Sequence, residues 1–377
     1  MSDIRILITC LVFDRPASIS RLLASLRKRS NIVGTEVEVD LLVSVDFSSK
    51  QSLVISQIAG FEWPFGSFEI VAHEKNIGLV NNVYFCGDRV ADYDLLVMLE
   101  DDLVVAPNFI DYALATYEFY RNSQSIAGFS LYSPRFNETS LQSFFPLDFA
   151  DAFLIQLPCS WGQFWTRDQW RKFRDWQTDD NLYQIPHMPS NMARWSNKSW
   201  KRVFAQYLIS ENLYLLYPLS SYTTNFGENG VHVTSTNIFQ VPLSFKSGMF
   251  RFLDENNCPK YDAWLDLNPD FIKKINPRLG DIDFEVNGSL DKQCSKNMYQ
   301  LSFIKGRDVA FSWEGSTEPQ MSSVLLDISG DGLFLSRHFT TSSSFQIICR
   351  YPRTTLKRAL LPIFRRLLVM IKNLSCR

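Results

Sequence analysis

Glu100, Asp101 and Asp102 stand side by side in the stretch "LLVMLEDDLVVAP", with an apolar run on either flank. A buried carboxylate without a partner is costly and ordinarily neutralises itself by taking up a proton. Three in a row between runs that read as buried therefore require something positive beside them, and a divalent metal meets the need. Side chains alternate along an extended segment, so Glu100 and Asp102 are expected on one face and Asp101 on the other. A hard ion such as Mg²⁺ or Mn²⁺ takes oxygen ligands, commonly only one or two protein carboxylates, and leaves positions for substrate phosphates. A solvated strand-to-helix turn, its acids facing the next helix N-terminus, would give the same letters. Placement separates the two readings.

The elements that must do the placing are legible from periodicity. "IRILITCLVF" reads as a buried strand and "PASISRLLASLRKRS" as a helix opened near Pro16, with Ile19, Leu22, Leu23 and Leu26 at helical spacing. "EVDLLVSVDF", "SFEIVAHE" and "DLLVML" read as further strands, "NIGLVNNVYFCGDRVA" as a helix, and Pro107 opens another helix that runs to about Arg121. Strands alternating with helices imply crossover units and a mostly parallel, doubly wound sheet, whose ligands bind beyond the carboxyl ends of the strands. Three such ends are acidic: Asp14, Asp46 and the Glu100–Asp102 cluster. Their convergence favours a site over a solvated turn.

Other candidates surround them. In "NIGLVNN", Asn76, Gly78 and Asn82 either bring amide groups to a nucleotide or end a loop and cap a helix. In "CSWGQFW", Trp161 and Gly162 either floor a sugar site, since Trp faces stack on sugars, or pack in the core. His232, in the polar loop "NFGENGVHVTSTN", is one of four histidines and can ligate a metal or contact phosphate.

These stretches carry a resemblance. "VMLEDDLVVAPNFIDYALATY", "CLVFDRPASISRLLASL", "VSVDFSSK", "NIGLVNNV", "CSWGQFWTRDQW" and "NFGENGVHVTST" resemble, in order, motifs of GT-A fold glycosyltransferases. The relatives are the N-acetylglucosaminyltransferase I family and bacterial family-2-like enzymes. The resemblance spans residues 4–240, about two-thirds of the chain. It implies a metal-assisted, inverting transferase that takes its sugar from a nucleotide-sugar donor, a UDP-sugar first, with Mn²⁺ or Mg²⁺ as cofactor. By it, Asp102 is the direct metal ligand, joined by His232; Glu100 helps hold the nucleotide sugar, with Asp101 and Asn76 beside it; and Asp14 and Asp46 contact the nucleoside. Trp161 and Gly162 then lie near the acceptor. A metal that neutralises a departing diphosphate stabilises the transition state.

Inversion also needs a base for the acceptor hydroxyl, normally a carboxylate. Where bacterial relatives place an Asp ahead of a Ser–Trp pair, this chain reads "NKSW", with Lys198 at the Asp position. A lysine of ordinary pKa is protonated and is no base. Asp179, Asp180, Glu211 and Glu228 are the substitutes, with Glu228 preferred and Asp180 next. Two rival functions follow: a catalytically silent domain that binds glycans or assembles partners, and a sugar nucleotidyltransferase. The turn "VFDRPAS" lacks the glycine-rich phosphate loop that the second chemistry wants.

Composition sets the frame. At 46% hydrophobic and 21% charged residues the chain is globular, and a net charge of −2 gives no reason to expect nucleic acid. Its seven cysteines are scattered without a CxxC pair, so neither a zinc site nor a disulfide framework is indicated. The opening "MSDIRILITCLVF" reads as a strand rather than a secretory signal, and a cytoplasmic setting is expected. The organisation expected is a GT-A domain over residues 1–245, a β-rich accessory region over 246–345 and a basic tail over 346–377. "DIDFEVNGSLD" and "VLLDISGDGLFLS" read as hairpins of that second region, which suggests no function. The tail "TTLKRALLPIFRRLLVMIKNL" reads as a basic amphipathic helix lying on the inner, anionic face of the cell membrane. Such an enzyme would serve surface polysaccharide or glycolipid synthesis, with a glycan or lipid-linked acceptor.

Overall fold

The computed structural model describes residues 4–29, 37–226, 239–293, 298–315, 319 and 321–337. They fall into two compact units, residues 4–135 with 144–271, and residues 136–143 with 272–337.

In the first unit, β1 (Ile4–Val12), β2 (Val37–Val45), β3 (Phe68–Ala72) and β4 (Leu95–Glu100) alternate with α1 (Pro16–Leu26), α2 (Gln51–Ile58) and α3 (Gly78–Asp88). Next come β5 (Leu103–Val105), α4 (Phe109–Tyr120) and β6 (Ile126–Ser130). The short strands β7 (Phe136–Asn137) and β8 (Gln142–Ser143) belong to the second unit. The first unit resumes with β9 (Ala152–Ile155), β10 (Gln163–Thr166), α5 (Arg167–Trp176), α6 (Asp179–Tyr183), α7 (Ser190–Ala193) and α8 (Trp200–Ser210). It closes with β11 (Tyr214–Pro218), β12 (Thr223–Asn225) and β13 (Lys260–Tyr261).

Nine of these strands form one sheet in the order β13-β9-β11-β6-β10-β4-β1-β2-β3. Five of its eight pairings are parallel; β9, β10 and β13 run against the rest. The α/β, mostly parallel architecture expected from the alternating pattern is thus present. After β3 the chain returns to the far side of β1 to add β4, and this reversal opens a crevice between the carboxyl ends of β1 and β4. Both faces of the sheet are covered, which is why its central strands read as continuous apolar runs. Ile6, Ile8, Cys10 and Val12 share one core with Ile19, Leu22, Leu23 and Leu26 of α1. On the other face α3 meets the sheet through Ser44 Oγ, which donates to Asn82 Oδ1 at 2.6 Å. There α3 also packs on α5 so closely that a Cβ at Gly87 would fall 1.9 Å from the Trp170 ring.

The second unit is smaller and β-rich, as expected. It holds a four-stranded sheet of β14 (Phe284–Val286), β15 (Tyr299–Ser302), β17 (Leu333–Arg337) and β16 (Arg307–Trp313), in that order. Neither expected hairpin forms. Phe284–Val286 pairs in parallel with β15, and "VLLDISGDGLFLS" begins within a short helix, Ser322–Leu325, and ends in β17. Alternation of apolar residues marks which face of a strand is buried but not which strand is its neighbour. The basic tail lies outside the described residues, and no helix among those described is long and apolar enough to cross a membrane.

Candidate active site at the Glu100–Asp102 cluster

The parallel register brings the three acidic strand ends together. Leu11 of β1 stands opposite Glu100 of β4 and Ser44 of β2, so the residues after β1 and β4 emerge side by side. Pro16 begins α1 with its φ already suited to a helix and no N–H to satisfy. This start turns Arg15 back across the crevice. Its Nη1 donates to Asp102 Oδ2 at 3.1 Å, and Nη2 is paired with Asp101 Oδ1.

The positive partner that the cluster demanded is therefore partly built in, a residue that sequence reading passed over beside Asp14. The expected alternation also ends one residue early. β4 stops at Glu100, Asp101 and Asp102 lie in the following turn, and one guanidinium reaches both. That turn is anchored behind by β5, which pairs with β12, and Phe226 N–H donates to the Asp102 carbonyl at 3.0 Å.

One guanidinium does not satisfy the cluster. Asp101 is 1% exposed, and its Oδ2 together with Asp102 Oδ1 is buried without a hydrogen-bond partner. Burial pushes the Asp101 carboxyl up to about 6 although Arg15 pulls it down. Glu100 is pushed up to about 8, first by burial and then by the charge of Asp102, with Lys201 and Arg15 opposing. Two orphaned carboxylate oxygens, beside a third acid whose pKa is raised, fit a hard divalent cation. Among the described residues no set of three His, Cys, Asp or Glu side chains converges as a ligand cage. A cation held here would take its remaining ligands from water or phosphate oxygens.

Asp14 and Asp46 lie at the neighbouring strand ends. Asp14 is half-exposed and faces Lys50 Nζ at 3.8 Å. Asp46 is buried at 4% exposure; Oδ1 accepts from the N–H groups of Phe47 and Ile77 at 2.8 Å, and Oδ2 from Gly78 N–H at 2.9 Å. Asp46 thus holds the start of α3 against the end of β2. Asn76 fastens the same corner through Phe47 O at 3.3 Å, and Asn82 is buried beneath it.

On the β10 side, Gln163 stands opposite Met98 in an antiparallel pair, so Trp161, two residues before Gln163, lies toward the same end as Glu100, two residues after Met98. Gly162 has φ +92, and a Cβ there would meet Thr223 Cγ2 at 2.7 Å. Thr223 Oγ1 in turn donates to the Trp161 carbonyl at 2.5 Å, which ties the Trp161 loop to β12 and so to the Asp102 turn. The Trp161 ring packs edge-on to Tyr132, with centroids 4.9 Å apart, and keeps one part accessible, whereas Trp165 and Trp170 are core residues. Lys201, in the first turn of α8, holds its amino group 5.8 Å from the Trp161 ring centre and 4.9 Å from that of Trp195. This second cation of the site was also missed, because in sequence it is one lysine of a basic stretch.

The expected bases fare differently. Asp180 is exposed in the first turn of α6, as is Asp179, and no described contact links either to the cluster. Glu211 accepts from Trp176 Nε1 at 2.9 Å, a packing role. Lys198 is exposed between α7 and α8. Glu228 and His232 lie outside the described residues; the chain leaves at Phe226 beside Asp102 and resumes at Phe239, whose ring is 4.9 Å from that of Trp161.

No protein-family model matches the sequence, and no curated protein matches it significantly. Solved structures are similar at a distance. S. aureus TarS 1–349 is 11% identical, with a TM-score of 0.38 over 58% of this chain and 60% of that one. Its complex with UDP-GlcNAc is 12% identical, with a TM-score of 0.36 over 61% and 60%. The mannosyltransferase PcManGT from Pyrobaculum calidifontis, in complex with GDP-Man and Mn²⁺, is 12% identical, with a TM-score of 0.31 over 45% and 46%. The chain thus spans 60% or less of the length of these three. Likenesses this distant transfer no residue roles.

Proposed function

We propose that this chain is a glycosyltransferase that binds a nucleotide-sugar donor and a divalent cation in the crevice between the ends of β1 and β4. The observation that carries the reading is the pair of orphaned buried oxygens, Asp101 Oδ2 and Asp102 Oδ1, at the point where the strand order reverses. Asp102 is the protein ligand proposed for Mn²⁺ or Mg²⁺, with Asp101 behind it. The ion, when bound, supplies positive charge to the leaving diphosphate. Arg15 and Lys201 add charge of the same sign from the protein. Asp14 and Asp46 lie where the nucleoside would rest, with Asp46 acting through the backbone it holds.

In transfer, the bond between the anomeric carbon and the diphosphate breaks as the acceptor hydroxyl oxygen bonds to that carbon, with inversion. The hydroxyl proton must pass to a base, for which Glu228 remains the preferred residue. Surface glycan or glycolipid synthesis, and attachment of the basic tail to an anionic membrane, belong to the same proposal. They are supported by the run of cations without an acid after Asp331.

A panel of nucleotide sugars incubated with the protein and Mn²⁺, followed by nucleotide release, tests the reading. Release stimulated by one donor, with saccharide acceptors and lost without metal, supports it; none with any donor overturns it.

A second reading, a silent domain that binds nucleotide sugar or glycan without transfer, is favoured by one observation. Lys198 is exposed at the place where the resemblance puts the base. Metal-dependent nucleotide binding without turnover would select it.

A further inference from the structure

The turn joining α7 to α8 borders the proposed site and has an unusual charge. Residues 181–210 contain no Asp or Glu but hold Arg194, Lys198, Lys201 and Arg202. Arg202 is committed to structure: its Nη1 donates to the carbonyls of Ala193 at 3.0 Å and Trp195 at 2.6 Å, pinning the turn. The turn is further closed by Trp195 N–H to Met192 O at 3.0 Å and Ser199 N–H to Ser196 O at 2.8 Å.

The other three cations are not so used. Arg194 and Lys198 are exposed, and no described carboxylate pairs with either. Lys201 lies over the rings of Trp161 and Trp195, and the acid whose charge it feels is Glu100. Like charges on one turn repel one another, and among the described residues no carboxylate pairs with Arg194 or Lys198 to offset this. A bound anion would. The two tryptophans beside them are partly exposed, and indole is a surface of the kind that sugar rings cover.

We propose that the α7–α8 turn is the docking surface for the acceptor, and that the acceptor is an anionic glycan bearing phosphate or carboxylate groups. Its sugar rings lie on Trp161 and Trp195, and its charges meet Lys201, Lys198 and Arg194. The word acceptor rests on the donor-site reading above; the anionic-glycan surface does not. Lys198, where relatives carry an acid, then serves recognition rather than proton transfer.

The test is fluorescence anisotropy of the full chain with labelled polygalacturonate, a phosphomannan and a neutral dextran of matched length. Phosphatidylglycerol vesicles are tested beside them, and nucleotide with Mn²⁺ is titrated separately. The expectation is binding to both charged polymers, none to dextran, and an affinity that falls steeply as salt rises from about 0.05 to about 0.5 M. Arg194→Glu with Lys198→Glu should weaken polymer binding by roughly tenfold or more, through reversed charge at the surface, and leave the nucleotide titration as in wild type. Equal binding of dextran, unchanged polymer binding in the double variant, or binding to vesicles alone would overturn the inference. Polymer binding without nucleotide binding would keep this surface and remove the donor reading. Nucleotide binding without polymer binding would do the reverse.

Discussion

Arg15 Nη1 lies 3.1 Å from Asp102 Oδ2 while its other terminal nitrogen holds Asp101, so one guanidinium joins the loop after β1 to the turn after β4. The contact spans the crevice at the reversal of strand order and leaves one oxygen of each aspartate unpartnered. Arg15→Ala would strand two buried carboxylates, and the expected loss is about 2–3 kcal/mol, near the lower end for breaking a buried pair because Arg15 is itself 26% exposed. Arg15→Lys should recover only part of this, since an ammonium cannot fork across both. Mn²⁺ should raise the melting temperature of the Ala variant more than that of wild type. Equal shifts would mean that cation and guanidinium do not serve the same oxygens.

Glu100 gives a pH signature in the metal-free protein. Its folded pKa is raised from the usual 4.5 to about 8, so across that window the folded state keeps a proton that the unfolded state releases. Stability therefore falls as pH rises through the window. Glu100→Gln removes the penalty. Thermal unfolding in chelator should show the variant gaining on wild type from about pH 5 to about pH 8. A constant difference would contradict the burial argued for this side chain.

Gly162 couples the Trp161 loop to the strand behind Asp102. Gly162→Ala forces a side chain into φ +92 and 2.7 Å from Thr223 Cγ2. A cost of about 2–3 kcal/mol is expected from strain and overlap together. Adding Thr223→Ser deletes the clashing methyl while keeping the hydroxyl that donates to the Trp161 carbonyl, and should return part of the loss but not all of it. Chemical denaturation of the single and double variants measures both parts. Full recovery would show that φ at this position is unimportant.

A second buried acid lies at the opposite end of the sheet and supplies a control. Asp40 accepts from Ser67 N–H at 2.6 Å and Tyr93 O–H at 2.8 Å. Burial opposes its ionisation, but these bonds and Arg5 outweigh burial and hold its pKa below the usual value. Its contribution is present at neutral pH and is lost as pH falls through the folded pKa. Tyr93→Phe should cost about 1 kcal/mol at neutral pH and progressively less as pH falls through the folded pKa of Asp40, without any effect of Mn²⁺. A cost that persists in acid would place the bond's value elsewhere.

The contrast between these sites explains what the sequence could reveal. Strands β1, β2 and β4 announced themselves because both faces are buried along most of their length and their residues are mainly apolar up to the acidic end. Asp14, Asp46 and Glu100 were findable for the same reason: an abrupt change from apolar to acidic marks where a strand leaves the core. Arg15 and Lys201 were not, since a cation on a loop or helix has no periodicity that says where its head lies. The same limit applied in the second unit, where Phe284–Val286 was recognisable as a strand but its parallel partner β15 was not. For the base, no pattern distinguishes an exposed carboxylate such as Asp180 from one turned into the crevice.

The central claim is that Asp102 holds a divalent cation together with a nucleotide diphosphate. Calorimetric titration of UDP into wild type and Asp102→Ala, each with and without Mn²⁺, tests it most directly. The account predicts Mn²⁺-dependent binding by wild type, with GDP tried in the same way should UDP be silent. In the Ala variant the Mn²⁺ dependence should disappear and affinity should fall by roughly a hundredfold, the scale of losing a ligand bond to the metal. Binding by Asp102→Ala equal to wild type, with the same response to Mn²⁺, would contradict it.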